Sequence, residues 1–244
     1  MRRGLAAVAL VCLVALAGCS MLPGTSDSGA PGVEDGELTD SEALLDAHVE
    51  ELTSSGYAHE LNVSQRVGTG ENRTESTRRQ RTSVAADATE YQFQLINDGR
   101  ASSRFLVWGN ETVEYQSIEA GGSREFRRSD PTPPESLAGA ALLEPHLTAP
   151  YEVEEVEERD GPNIIRLEAT GQPSDASAFP NEATDVSNYE AELVIDERGR
   201  ILAFGATAEY QLNGEPADYQ LNFELTATSD PGVERPGWVD DLES

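Results

Sequence analysis

Lysine is absent from the 244 residues: all 17 basic residues are arginine, set against 45 acidic ones. A protein so short of positive charge lacks the basic footprint that displaces counterions from phosphates, so no nucleic-acid partner is expected. The two arginine patches, Arg78-Arg79-Gln80-Arg81 and Arg127-Arg128, are short and read as strand faces pairing with acids. Also missing are an HExxH pair, a Gly-x-Ser-x-Gly elbow, a phosphate loop and a dinucleotide fingerprint. Three histidines, His48, His59 and His146, are scattered without ligand spacing and are expected in structural or surface roles. Carboxylate pairs are plentiful, but in so acidic a chain they carry no information. Catalytic residues, a metal and a cofactor are therefore not expected, and the chain does not read as an enzyme.

Cysteine is scarce as well, and the two copies, Cys12 and Cys19, sit in the first twenty residues. Arg2 and Arg3 begin a positive start, an uncharged apolar run follows from Gly4, and the run closes on Leu16-Ala17-Gly18-Cys19. This is a signal peptide with a lipobox, predicted to span residues 1–18, with Cys19 as the lipid attachment site and first mature residue. An uncleaved anchor fits less well, because a bilayer span needs about 20 apolar residues and this run is shorter. Arg2-Arg3 only half resembles a twin-arginine signal, so both export routes remain open. With Cys12 removed and Cys19 consumed, no thiol is left for a disulfide. Residues 19–38, rich in Ser, Gly, Pro and Asp, read as a flexible tether. The expected location is the exterior face of the cell membrane, with the membrane itself as partner through the lipid.

The formal net charge of -28 is a statement about solvent. In dilute salt such a surface repels itself, whereas at about 1 M salt the screening length falls to about 3 Å and neighbouring carboxylates hardly feel one another. The acids are spread along the chain instead of forming one disordered block, so the composition suits a halophile.

The body, residues 39–242, reads as one domain that is mainly β. A capping-box pair, Thr39 and Glu42, opens a predicted helix whose buried face is Leu44, Leu45, His48, Val49 and Leu52, and Gly56 ends it. The period then changes to two, first at Tyr57, His59, Leu61 and Val63 and again at Tyr91, Phe93 and Leu95. A hairpin turned at Gly109-Asn110 is expected to place Phe105, Val107, Val113 and Tyr115 on one face. A second helix is predicted over Pro134–Leu143, stopped by Pro145. Two further hairpins flank Asp160-Gly161-Pro162-Asn163 and Asp196–Gly199, residues 171–185 read as a loop, and Asn213-Gly214 turns the last pair. In that pair Phe204, Ala206, Ala208 and Tyr210, then Tyr219, Leu221, Phe223 and Leu225, alternate with polar residues. The fold class is thus α+β: a strongly curved antiparallel sheet or unclosed β-barrel, with one or two helices covering its apolar concave face.

The lipobox, the tether, the helix, the alternating strands and the tail Gly232-Val233-Glu234-Arg235-Pro236-Gly237-Trp238-Val239 together resemble a haloarchaeal lipoprotein family of unknown function. That family is similar in strand and helix order to the lipoprotein-carrier superfamily (LolA/LolB-like, with the mycobacterial lipid-binding lipoproteins). The resemblance implies an unclosed barrel lidded by helices over an apolar cavity and a lipid-like ligand. The chain departs from the soluble carriers in having a lipidated cysteine and no arginine placed where they latch their lid.

The apolar row has two readings, a filled core or the lining of a ligand cavity. The candidate lining is Tyr91, Phe93, Leu95, Leu193, Phe204, Tyr210, Tyr219 and Phe223. The corresponding functions are a binding lipoprotein that holds an apolar or lipid-like molecule, or a structural and interaction lipoprotein with no ligand. Three sequons, at Asn62, Asn72 and Asn110, are candidate glycosylation sites.

Overall fold

A computed structural model describes residues 29–243, so the lipobox, Cys19 and the start of the tether lie outside the described residues. The chain forms one antiparallel sheet from strands β1 (Val33–Glu34), β2 (Glu37–Leu38), β3 (Tyr57–Val67), β4 (Thr74–Val84), β5 (Glu90–Asp98), β6 (Ser103–Asn110) and β7 (Glu114–Ala120), continued by β8 (Ser123–Ser129), β9 (Tyr151–Glu157), β10 (Ile164–Ala169), β11 (Ala183–Asp196), β12 (Ile201–Leu212) and β13 (Glu215–Ala227). Their order is β1-β2-β9-β10-β11-β12-β13-β3-β4-β5-β6-β7-β8, and the sheet does not close into a barrel. Helices α1 (Ser41–Ser55), α2 (Ala140–Leu143) and α3 (Gly237–Glu243) complete the fold. The expected mainly β architecture with a helical cover is therefore what the chain adopts. Among the described residues no helix is long and apolar enough to cross a membrane.

Turn chemistry sets the registers. Leu212 pairs with Glu215 across a two-residue loop in which Asn213 and Gly214 both take positive φ, 54° and 80°, the twist that matches a hairpin. At the Asp196 turn the carboxylate accepts from the backbone N–H of Arg198 and Arg200, each at 3.0 Å, and from the Arg200 guanidinium. The β6–β7 hairpin departs from expectation. Its loop is longer than two residues: Asn110 Oδ1 accepts from Thr112 N and Val113 N, and Gly109 pairs with Glu114. Four residues separate the paired ends, and this register sets Trp108 opposite Tyr115 and Val107 opposite Gln116. Phe105 and Val107 therefore face the inner side, while Val113 and Tyr115 pack with Trp108 on the outer side. Strand β11 begins at Ala183, inside the predicted loop, and reaches regular pairing after register shifts near Asp185 and Asn188, both at positive φ.

Helix α1 is capped by Asp40, whose carboxylate accepts from Ala43 N at 2.9 Å, and not by Thr39. Thr39 serves the preceding loop, its N–H donating to Gly32 O at 2.8 Å. Leu44, Leu45, His48 and Leu52 are the buried face of α1, and Gly56 ends the helix at φ 76°. The second predicted helix is broken in two, a 3-10 turn at Pro134–Leu137 and α2, and a further 3-10 turn at His146–Thr148 follows Pro145. The break falls at Gly139, whose φ of 87° cannot continue a right-handed helix.

The last part of the expected tether is built into the body. Ala30 and Val33 are buried, and Gly32 turns so close to Asp40 that a Cβ there would collide with the Asp40 carbonyl oxygen. Val33 is the apolar anchor in an otherwise polar stretch. At the other end the chain leaves β13 and lays α3 on the outer face of β6–β8. Val239 is buried there with Trp108 and Tyr115, the Trp238 ring stacks on Phe126 at 6.2 Å, and the Arg235 guanidinium lies 4.9 Å above Trp108.

Candidate binding face

Cross-strand pairings from β12 to β7 define rows across the inner face of the sheet, the one shift from β13 onward, at Leu225/Ala227, lying outside these rows. One row runs Phe204, Phe223, Leu61, Gln80, Leu95, Phe105, Ile118 from β12 to β7. Its first four members are at most 6% exposed, whereas Leu95, Phe105 and Ile118 are only half-buried. The next row runs Ala206, Leu221, Val63, Arg78, Asn97, Ser103 and opens in the same direction. The inner face is thus filled beside β10–β13, whereas beside β5–β7 it is buried at Tyr91 and Val107 and open at Leu95, Phe105 and Ile118.

The cover explains the gradient. Segment 130–149 crosses the inner face as a lid, and ring and hydroxyl donors from the body hold its carbonyl groups. The Tyr57 hydroxyl donates to Pro134 O at 3.1 Å, His59 Nε2 donates to Leu137 O at 2.9 Å, and His48 Nε2 donates to Ala138 O at 3.2 Å. His48 Nδ1 also accepts from Ile201 N at 3.0 Å, which fixes a neutral ring carrying its proton on Nε2. Burial holds the His48 pKa down to about 4 and lowers that of His59. The third histidine, His146, lies among Tyr151, Phe179, Tyr189, Phe204 and Tyr219, and burial pushes its pKa down to about 4. All three histidines are interior, at most 2% exposed, and none is on the surface.

The lid is fastened at its start by a buried carboxylate. Glu114 accepts from Tyr91 OH at 2.7 Å and Thr132 Oγ1 at 2.6 Å on Oε2, and from Gln116 Nε2 at 2.6 Å and Ser129 Oγ at 3.1 Å on Oε1. The Tyr91 hydroxyl in turn accepts from Thr132 N at 2.8 Å. Burial works to raise the Glu114 pKa, but the side-chain hydrogen bonds outweigh it and hold the group below the ordinary carboxylate range. Tyr91 reaches Glu114 across Gly109, where any Cβ would collide with the tyrosine ring.

The candidate lining residues divide accordingly. Leu193, Phe204, Tyr210, Tyr219 and Phe223 belong to the large core cluster, Tyr91 and Phe93 to a second cluster with Leu52, Tyr57, Val84 and Val107, and Leu95 lies in the open row. Sequence reasoning missed Ile118 and Arg78 as members of the open face, and it placed Phe105 beside the wrong partners. Their strand parity was the available signal, once the hairpin loops are counted. Two buried atoms in this region have no partner, His59 Nδ1 and Thr82 Oγ1, which lie on directly paired residues of β3 and β4. The sequon asparagines Asn62 and Asn72 are exposed, on the outer face of β3 and in the β3–β4 turn, while Asn110 is half-buried in its own loop.

No protein-family model matches the chain, and no curated protein matches it. Among solved structures it is similar to a DUF1329 family protein from Desulfovibrio piger, with TM-score 0.28 and 11% identity over 80% of this chain and 95% of the other. It is likewise similar to a LolA superfamily protein from Nitrosomonas europaea, with TM-score 0.24 and 10% identity over 82% and 96% of the two chains. A third similarity is to the Mycobacterium tuberculosis lipoprotein LppX, with TM-score 0.29 and 11% identity over 80% and 99%.

Proposed function

We propose that the protein is a lipid-anchored binding protein on the exterior face of a halophile's cell membrane, and that it holds an apolar or lipid-like molecule on the open part of its inner sheet face. The observation that carries the reading is the row Leu95, Phe105, Ile118, aligned with a filled core yet only half-covered. An aligned apolar surface left uncovered in one part of a well-packed sheet is where a ligand replaces missing side chains, each buried methylene contributing about 0.8 kcal/mol. The anchor rests on the lipobox and Cys19, and the high-salt setting on 45 acids without a lysine.

Native mass spectrometry of protein gently extracted from its host, followed by lipid extraction, tests the binding role. The expected result is a co-purifying apolar molecule; a consistently empty chain that also refuses apolar probes sinks it. The mass of the mature amino terminus tests the anchor, and a free Cys19 thiol would remove it. Circular dichroism in low and multimolar salt tests halophily, with loss of the fold expected in low salt.

The second reading, a structural or interaction lipoprotein without ligand, is favoured by the dense packing under β10–β13, where Leu193, Ile195, Ile165 and Leu167 are fully buried. Glycan at exposed Asn72 or Asn62 is compatible with both readings, and intact mass before and after deglycosylation decides its presence.

A further inference from the structure

Arg78 stands apart from the ion-paired arginines around it on β3 and β4. It lies on β4 in an unshifted register, two residues from Gln80 and four from Thr82, and therefore shares their inner face. The arginines beside it point outward and are paired: Arg79 with Asp98, Arg81 with Glu60 and Arg66 with Glu75. Arg78 is exposed, and among the described residues it has no ion pair and no hydrogen-bond partner. Its neighbours on the inner face are neutral: Gln80 along the strand, Val63 and Gln65 on β3, Leu95 and Asn97 on β5. In a chain with 45 acids to 17 arginines, a guanidinium surrounded by neutral side chains leaves its charge to something outside the chain.

Beside Arg78 begins the half-buried apolar row. From β4 to β7 it crosses three strand spacings, about 14 Å, the span of a mid-length alkyl chain. We infer that Arg78 seats the anionic head, a carboxylate or a phosphate monoester, of a single-chain amphiphile whose tail lies along Leu95, Phe105 and Ile118. This rests on the binding role proposed above and adds the charge and form of the ligand. The chemistry is that of a planar guanidinium fork, which meets two oxygens of a carboxylate or phosphate at once. In concentrated salt the screening length falls to about 3 Å, so only direct contact of this kind survives. Tyr219 lies within reach of the same charge, which works to lower a phenol pKa that burial raises.

Calorimetric titration of the full chain in multimolar potassium chloride with decyl phosphate, decanoate and decanol tests the inference. One or both anions should bind about tenfold or more tighter than decanol. Arg78→Gln should erase that preference while keeping decanol binding, and Arg79→Gln, on the opposite face, should leave it intact. Equal binding of anions and decanol, or an anion preference that survives Arg78→Gln, overturns the anion seat and leaves the apolar binding role standing. If none of the three binds, the binding role itself fails and the seat falls with it.

Discussion

The two flanks of the sheet are built from the same alternating pattern and end in different states. On the β10–β13 flank, Leu167, Leu193, Phe204 and Phe223 meet the face of α1 and the lid and are at most 2% exposed. On the β5–β7 flank, Leu95, Phe105 and Ile118 alternate just as regularly, but the cover stops short and they stay half-buried. There the outer face is dry as well, since α3 covers Trp108, Tyr115 and Val113. Alternation fixes which residues share a face, and the reach of the covering segments decides which face becomes core.

Truncations should separate the flanks most sharply. Phe223→Ala removes a ring that packs with His48 and His59 in the filled core, so a loss of about 3–5 kcal/mol is expected in denaturant titration. Phe105→Ala on the open flank should cost much less, about 1 kcal/mol, because water already reaches the ring. Equal losses would mean the open flank is packed after all.

Acid should act through the lid. His48 and His146 are neutral in the folded protein, with pKa values near 4 against 6.5 for the free ring. The unfolded chain therefore binds more protons between these values, so stability is full above pH 6.5 and falls as pH drops toward about 4. Each ring contributes on the order of 3 kcal/mol across that window. His48→Gln should flatten the profile as well as weaken the fold; an unchanged slope would show that His48 titrates alike in the folded and unfolded chain.

Much of this organisation was legible beforehand. The Asn213-Gly214 hairpin, the Asp196 turn, the buried face of α1 and the apolar rows of β12 and β13 follow from period and turn chemistry that involve neighbours in sequence. What could not be read depended on distant partners. The Asp40 cap wins because Thr39 is drawn to Gly32, and the second helix breaks because Gly139 turns where Ala138 O must meet His48. Likewise the face of Tyr115 hangs on its pairing with Trp108 across the loop, and the role of Glu114 hangs on Thr132 and Tyr91 arriving from elsewhere.

The Glu114 node joins the flanks, since it ties β7 to the start of the lid. Glu114→Gln keeps the shape but puts an amide where several donors converge, so one donor must go unmet. A loss of about 1–3 kcal/mol is expected, with faster amide exchange in 130–138 than in β12. Because the folded pKa lies below the free value, the carboxylate's contribution is present above about pH 4.5 and disappears as pH falls through the folded pKa. A Gln variant with the parent's stability and exchange pattern would detach the lid from this node.

The smallest effect should come from α3, which lies as a strap across the outer face of β6–β8. Val239 is fully buried, but it shares its patch with few residues and sits near the end of the chain. Val239→Ala is expected to lower stability by about 0.5 kcal/mol, less than Phe105→Ala and far less than Phe223→Ala. Its signature lies in where the loss appears: amide protection should fall in β6, β7 and the edge strand β8 while β10–β13 stay unchanged. A uniform fall across the sheet would mean that the two flanks unfold as one unit and that the strap secures all of it. A local fall would make β5–β8 the softer flank, able to open its inner face without disturbing the packed core beside it.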